Sequence, residues 1–410
     1  MSPFEIFSVL IALAALFSYL NYRYLRLPSA IGIMLLALIA SLALVAVGTV
    51  LGFSRSRFGA VIAGVAFDQL LLHGMLGFLL FAGALHIKLD DLAEEWGAIS
   101  VLAILATAVS TFLIGILIWL VLTATGMAVP LVQCLLFGAL ISPTDPVAVL
   151  GIMKKAGASR TLQIQVAGES LFNDGVGVAL FLILLELMAG TRTFSASAVA
   201  AIVAKEVIGG CVVGLLAGAL IYMLMKSIDN YQVEVLLTLA LAMAGYALAE
   251  RLHVSAPIAI VAAGLLIGNP GRKFAMSAKT QDRLDTFWEL IDETLNAFLF
   301  MFLGLAMLIM PFAHRYLWMG AIAVVIVLLV RWLCVGAFVG IMRLYRRLDK
   351  GAVSVLTWGG LRGGISVAMA LTLPVNDHRD LFVTVTYCVV CFSILVQGMT
   401  MPALLRRIRN

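Results

Sequence analysis

The chain has 410 residues, of which 63% are hydrophobic and 12% are charged, with a formal net charge of +5. Soluble domains are close to half apolar and a quarter charged, so this composition excludes a large soluble domain and intrinsic disorder. Because a membrane-spanning helix needs about 20 mostly apolar residues, the sequence predicts an all-α integral membrane protein surrounded by a lipid bilayer. Basic residues mark cytoplasmic loops in such proteins, so the charge does not indicate nucleic acid as a partner.

Apolar runs, and the polar, Gly or Pro breaks between them, predict about thirteen transmembrane helices, the first of them a true span and not a removed signal peptide. The predicted spans cover residues 4–22, 29–51, 67–86, 97–125, 129–153, 162–189, 195–226, 233–250, 256–268, 284–310, 317–342, 353–373 and 381–404. Lys and Arg predominate on the loops after the odd-numbered spans and at the C-terminal end. The positive-inside rule therefore predicts an N-terminus outside and a C-terminus in the cytoplasm.

An odd number of spans predicts two six-helix halves of inverted topology joined by the seventh span, an arrangement common among secondary transporters. Spans five and twelve are then counterparts. Span five is interrupted by the Pro-rich segment 142–146, and span twelve by the Gly-rich segment 358–364. Proline removes a backbone donor and glycine frees the backbone, so both spans are predicted to be discontinuous, crossing helices whose ends face an ion site. Interruptions that serve packing alone are the alternative interpretation.

Three acidic residues, Asp145, Glu169 and Asp174, lie well within predicted spans, where charged groups are costly and are functional candidates. The basic residues Arg331 and Arg362 also lie at membrane depth and need counter-charges, for which Asp145 and Glu169 are available. A purely structural role in joining helices is the alternative for all three acids, and it is least favoured for Asp174. With two basic and three acidic residues within these spans, one carboxylate, that of Asp174, has no basic partner.

The unpaired carboxylate of Asp174 shares one helix face with Ser170, four residues earlier, and by the same spacing Glu169 and Asn173 share the adjacent face. A hard cation with oxygen ligands suits the first pair, whereas an internal structural network suits the second. A proton and a metal cation compete for the same carboxylate oxygens. The pattern therefore favours an exchanger of protons for cations.

Other functional classes lack their characteristic spacings. An intramembrane aspartyl protease needs a Gly-x-Gly-Asp string, which does not precede Asp174, and a zinc protease needs His-Glu-x-x-His, whereas the five histidines are scattered. Cys388 and Cys391 form a C-x-x-C within an apolar run, where a redox or metal role is disfavoured. We therefore expect no enzymatic activity and no cofactor. A passive cation channel is the alternative that remains. Only an exchanger moves protons in the direction opposite to the cation, so proton counterflow distinguishes the exchanger from the channel.

Three strings carry a family resemblance: FGALISPTDPVA at 137–148, GESLFNDG at 168–175 and GGLRG at 359–363. In these strings, and in their order on spans five, six and twelve, the chain closely resembles the NhaP-type sodium/proton antiporters, bacterial relatives of the sodium–hydrogen exchangers. The resemblance implies a secondary transporter of the cell (inner) membrane, active in pH homeostasis. It would exchange a monovalent cation, Na⁺ first and Li⁺ or K⁺ as alternatives, for H⁺, in an electroneutral 1:1 ratio; a K⁺/H⁺ antiporter is the nearest alternative.

The resemblance also implies roles for individual residues. Asp174 looks like the carboxylate that binds the cation and the proton, with Ser170 and Thr144 completing the Na⁺ ligands. Asn173 stands where electrogenic relatives carry a second aspartate. By the same resemblance, Glu169 looks like the structural partner of Arg331, and Asp145 and Arg362 look like charges that compensate the facing half-helix ends.

The same resemblance implies a homodimer and a division of the chain. A dimerisation scaffold would comprise residues 1–96 and 231–311, a mobile transport core 97–190 and 312–410, and a linking helix 191–230. One departure is that several prokaryotic relatives carry an acid in a Phe-Glu-Gly-like string on span three, where this chain has Phe81-Ala82-Gly83. A cation ligand from that span is therefore not expected.

Overall fold

The described part of the chain is built from helices and contains no β-strand. The computed structural model describes residues 3–51, 70–189, 196–308, 314–343, 351–375 and 378–409. Within those residues, nine helical segments are long and apolar enough to cross a membrane, judged by length and composition, and shorter apolar helices accompany them. The all-α membrane fold is confirmed, whereas the count of thirteen spans stays a prediction. The first residues of predicted span three lie outside the described residues.

The described residues of the N-terminal half form a succession of helices. Its helices are α1 (Pro3–Leu20), α2 (Ser29–Leu51), α3 (Leu76–Leu85), α4 (Leu89–Ser100), α5 (Thr107–Ala124), α6 (Leu131–Ile141), α7 (Val147–Ala156), α8 (Arg160–Met188) and α9 (Ala196–Lys226). A π-helical stretch, Val101–Ala106, joins α4 to α5 without a break.

The C-terminal half continues with helices α10 (Tyr231–Arg251), α11 (Ala256–Leu266), α12 (Arg272–Ala275), α13 (Ala278–Leu305), α14 (His314–Met342), α15 (Ala352–Trp358), α16 (Gly364–Leu371), α17 (Arg379–Phe392) and α18 (Gly398–Arg409). Ser and Asn side chains cap several of them. For example, Ser277 accepts a hydrogen bond from Thr280 N at 3.3 Å at the start of α13.

One helix begins earlier than its hydropathy predicts. The segment expected to start at residue 97 starts at Leu89, because its polar first turns remain helical. Asp90 and Asp91 occupy the first turn, where acidic side chains interact favourably with the positive end of the helix dipole. The expected boundary between scaffold and core at residues 96/97 therefore falls within α4.

Two helix pairs are interrupted inside the protein. Helix α6 ends at Ile141 and α7 begins at Val147, so the Pro-containing segment 142–146 is not helical. Helix α15 ends at Trp358 and α16 begins at Gly364, so the Gly-rich segment 359–363 is not helical either. Both segments end a helix among buried residues, where the freed backbone groups need partners within the protein.

Small residues bring the helices around these breaks close together. A Cβ atom added to Gly138 on α6 would collide with the backbone of Thr111 on α5. Likewise, one added to Gly304 on α13 would meet the carbonyl oxygen of Met34 on α2 at 2.7 Å. Close backbone approach at small residues is typical of helix packing in membranes. It holds the interrupted segments between long, continuous helices.

Candidate ion-binding site

The two interruptions contact each other. The backbone N–H of Asp145 donates to the carbonyl oxygen of Leu361 at 2.7 Å. Gly363 lies against the Asp145 carboxylate so closely that any side chain at this position would collide with it. The non-helical segments 142–146 and 359–363 therefore lie against each other, in a contact called the crossing here, and glycine is required on one side of it.

Arg362 satisfies the carbonyl end of one half-helix. Its Nη1 donates to the carbonyl oxygens of Ser142 at 2.8 Å and Pro143 at 3.1 Å, just beyond the end of α6, and the residue is buried. A guanidinium at a helix C-terminus compensates the negative end of the helix dipole and the unpaired carbonyls. The backbone of Arg362 is itself held by Ser393, whose Oγ accepts from Arg362 N at 2.9 Å.

Asp145 occupies the opposite kind of helix end. Its Oδ1 accepts a hydrogen bond from Val147 N at 2.8 Å, at the first residue of α7. A carboxylate at a helix N-terminus is stabilised by the free N–H groups and by the dipole. Asp145 therefore lies at the N-terminal end of α7, while Arg362 contacts the C-terminal end of α6.

Thr144, Ser170 and Asn173 form one buried polar cluster beside the break. The hydroxyls of Thr144 and Ser170 are 2.9 Å apart. Asn173 holds Thr144 from two directions: its Nδ2 donates to Thr144 Oγ1 at 2.9 Å, and its Oδ1 accepts from Thr144 N at 3.2 Å. All three residues are at most 2% exposed. The amide of Asn173 therefore fixes both the backbone and the hydroxyl of Thr144.

Asp174 lies one turn beyond Ser170 on α8 and is 7% exposed. Among the described residues, its carboxylate has no hydrogen-bond donor and no basic partner, and Asp145 is a like charge within electrostatic range. The structure thus brings the four predicted ion-binding residues to the crossing, with Asp174 as the unpaired charge. Their oxygen atoms are suited to a hard monovalent cation.

Glu169 and Arg331 make a two-point ion pair between α8 and α14. Arg331 Nη1 donates to Glu169 Oε1 and Nη2 donates to Glu169 Oε2 at 2.9 Å. The guanidinium also donates from Nη2 to the carbonyl oxygen of Leu356 at 2.9 Å, near the end of α15. Glu169 is 1% and Arg331 6% exposed. The pair is buried and joins three helices.

Two polar residues near the crossing were missed by the sequence analysis. Asp292 on α13 is partly buried and within electrostatic range of Asp145, and Asn296, one turn later, is buried. Asp292 stands between Glu289 and Glu293 in the sequence, so the acidic run resembled a solvated helix face. Its position inside a predicted span was the one signal that could have identified it.

Position 82 on α3 offers no cation ligand. Ala82 is buried, and a Cβ atom added to the neighbouring Gly83 would lie 3.8 Å from Leu171 on α8, so this part of α3 does reach the helix that carries Asp174. An acid on span three, as some relatives have, would therefore lie near the site. This chain has a methyl group there instead.

Two interrupted helices beside a buried carboxylate without a basic partner among the described residues are typical of secondary transporters. The sodium/hydrogen exchanger transmembrane family model matches residues 11–407, so the chain belongs to this family.

Comparison with individual proteins supports the same assignment. The chain is 46% identical to the Na⁺/H⁺ antiporter NhaP of Pseudomonas aeruginosa, over 98% of this chain and 96% of that protein. It is 32% identical to the Na⁺/H⁺ antiporter NhaH of Halobacillus aidingensis, over 90% of this chain and 91% of that protein. Its fold matches the sodium proton antiporter MjNhaP1 of Methanocaldococcus jannaschii with a TM-score of 0.78 at 17% identity, covering 98% and 97% of the two chains.

Proposed function

We propose that this protein exchanges Na⁺ for H⁺ across the cell (inner) membrane by alternating access around Asp174. The observation that carries the proposal is the buried carboxylate of Asp174, which has no basic partner among the described residues and lies beside the crossed helix breaks. A buried charge without a counter-ion is costly, and a proton or a cation removes that cost. The names of the similar proteins support Na⁺ as the cation.

Three residues would supply the Na⁺ ligands. Asp174 provides a carboxylate, and Ser170 and Thr144 provide hydroxyl oxygens that already lie 2.9 Å from each other. Asn173 positions Thr144 through its two hydrogen bonds and carries no charge of its own. Protonation of Asp174 removes the negative charge that attracts the cation, so only one of the two ions is bound at a time.

We infer an electroneutral ratio of one cation for one proton. Proton and monovalent cation each bring one positive charge to Asp174, and Asn173 cannot bind a second proton. Glu169 is engaged in two hydrogen bonds from Arg331 and takes no part in the exchange in this proposal. The loaded site then has the same net charge when it carries the cation across the membrane and when it carries the proton back.

The two other charges at the crossing act on helix ends. Arg362 neutralises the carbonyl end of α6, and Asp145 neutralises the N–H end of α7. In this proposal they allow two helices to end inside the membrane without unsatisfied backbone groups. They keep the crossing intact while the site changes its access.

The larger assembly is part of the same proposal. The core segments 97–190 and 312–410 would move against a scaffold of residues 1–96 and 231–311 in a homodimer, with the N-terminus outside and the C-terminus in the cytoplasm. The distribution of Lys and Arg over the loops supports this orientation.

Proton flux from purified protein in liposomes tests the function. A proton gradient is imposed, and Na⁺, Li⁺ or K⁺ is added in turn. We expect added Na⁺ to dissipate the imposed proton gradient, because the protein exchanges Na⁺ for protons. Release by K⁺ alone would make the protein a K⁺/H⁺ antiporter, and cation flux without proton counterflow would make it a passive channel.

A further inference from the structure

Helix α13 carries a partly buried carboxylate that the proposed ion site does not use. Asp292 lies within the apolar segment Ala278–Leu308, which is long enough to span a membrane. Its Oδ1 accepts a hydrogen bond from Asn296 Nδ2 at 3.0 Å, one turn further along the same helix. The carboxylate makes no ion pair with any described Lys or Arg.

The amide of Asn296 is only half satisfied. Asn296 is 6% exposed, and its Oδ1 has no hydrogen-bond partner among the described residues. A buried carbonyl oxygen without a donor is destabilising. If Oδ1 and Nδ2 of the amide exchanged places, Oδ1 would face the Asp292 carboxylate, and two acceptor oxygens would repel each other. The orientation in the structure is therefore the favourable one. An acceptor atom is therefore held in the interior beside an unpaired carboxylate.

This face of α13 is directed towards the crossing. Residues Asp292, Asn296 and Leu299 follow one another at spacings of four and three, so they share one helix face. Leu299 packs directly on Gly364, the first residue of α16, which leaves no room for a side chain there. Asp292 is within electrostatic range of Asp145, and Asp145 is within electrostatic range of Asp174.

The charges that act on Asp292 are all negative. They come from Asp145 across the helix contact and from Glu289 and Glu293 on its own helix. A partly buried group surrounded by like charges attracts a cation, and carbonyl and carboxylate oxygens are the ligands that hard cations prefer. The orphaned Oδ1 of Asn296 supplies the second ligand.

We propose that Asp292 and Asn296 form a second binding site for the transported monovalent cation, which holds the ion before it reaches Asp174. The inference rests on the proposed exchange function. Helix α3 packs on α13 through Phe81 and Trp288, whose ring centroids are 4.6 Å apart, and Trp288 lies one turn before Asp292 on α13.

Direct binding provides the first test. The Asp174→Asn protein is purified in detergent, and its melting temperature is measured as NaCl replaces choline chloride. Na⁺-specific stabilisation should persist in this variant and disappear in the Asp174→Asn/Asp292→Asn double variant. Equal responses of the two variants, or no Na⁺ response in the single variant, would overturn the second site. Melting temperatures in choline chloride verify that both variants fold.

Transport kinetics provide the second test. Asp292→Asn and Asn296→Leu, each in the otherwise unchanged protein, should raise the KM for Na⁺ about tenfold while kcat is retained, because the local cation concentration falls. Asp282→Asn is the matched control: it makes the same substitution at an exposed position on α13, about three turns before Asp292, and should change KM by no more than about twofold. Equal effects at positions 292 and 282 would show that only general surface charge matters and would overturn the proposal.

The two hypotheses fail separately. Substantial Na⁺-driven flux in Asp174→Asn would refute the proposed function. An inactive Asp174→Asn protein together with an unchanged KM in Asp292→Asn would refute only the second site.

Discussion

Breaking the Glu169–Arg331 ion pair should destabilise the protein far more than breaking an ion pair on its surface. Glu169→Gln keeps the shape of the side chain but leaves a guanidinium that is 6% exposed without its counter-charge. Removing one partner of a buried pair costs about 3–5 kcal/mol. Arg331→Met should cost about 1–3 kcal/mol more, because it also leaves the Leu356 carbonyl oxygen without its donor.

The double variant distinguishes the loss of the ion pair from a nonspecific loss of stability. In Glu169→Gln/Arg331→Met neither residue is charged, so the penalty for an isolated buried charge disappears. The loss of unfolding free energy should then be smaller than the sum of the two single losses by about 2–3 kcal/mol. The remaining loss reflects the unsatisfied carbonyl and the altered packing.

A surface pair on the same helix supplies the control. Arg160, at the start of α8, makes two hydrogen bonds to Asp91, at 2.6 and 2.9 Å, but its side chain is 69% exposed. Arg160→Gln should therefore lower the unfolding free energy by no more than about 1 kcal/mol. The assay is reversible unfolding in mixed micelles, followed by circular dichroism. Strict additivity of the two buried substitutions, or an equal cost at Arg160, would refute the reasoning.

Three further predictions concern transport. With the membrane potential clamped by K⁺ and valinomycin, after K⁺ has been shown not to be a substrate, the reversal point of Na⁺-driven proton flux should follow the ion gradients alone. A net charge moved per cycle would add about 2.3 kcal/mol per 100 mV, so a reversal point that shifts with voltage would contradict electroneutrality. Gly363→Ala should abolish transport, because its Cβ would collide with the Asp145 carboxylate, whereas Gly336→Ala, where nothing lies within 4 Å of the added atom, should be active; equal activity of the two would exclude a steric requirement at the crossing. Thr144→Val should raise the KM for Na⁺ roughly tenfold through the loss of one oxygen ligand, and an unchanged KM would remove Thr144 from the site.

The helical elements near the ion site were largely predictable from the sequence, because hydropathy and helix-breaking residues act locally. The Pro residues at 143 and 146 and the Gly residues at 359–363 stop their helices through their own backbone chemistry. The start of the fourth span was less predictable. Its acidic first turns are too polar for a hydropathy signal, yet they are good helix formers at an N-terminus.

The partners within the site were less predictable than the residues themselves. A count of charges indicated that Arg331 and Arg362 needed acids, but Arg362 satisfies backbone carbonyls at Ser142 and Pro143, and no charge count reveals that. The contact between Asn173 and Thr144 joins two helices distant in the sequence and depends on the crossing geometry. Asp292 was missed for the same reason: its role depends on which helices α13 packs against, and the sequence does not show contacts between distant helices.

Cation-dependent proton flux through the Asp174→Asn protein in liposomes is the most direct test of the account. The substitution preserves the size of a buried side chain and removes the one carboxylate at the crossing that has no partner among the described residues. Exchange at Asp174 predicts that Na⁺ dissipates none of the imposed proton gradient in this variant, while the melting temperature shows that the protein is folded. Flux comparable to that of the unsubstituted protein would show that the exchanged ions bind elsewhere and would contradict the central claim.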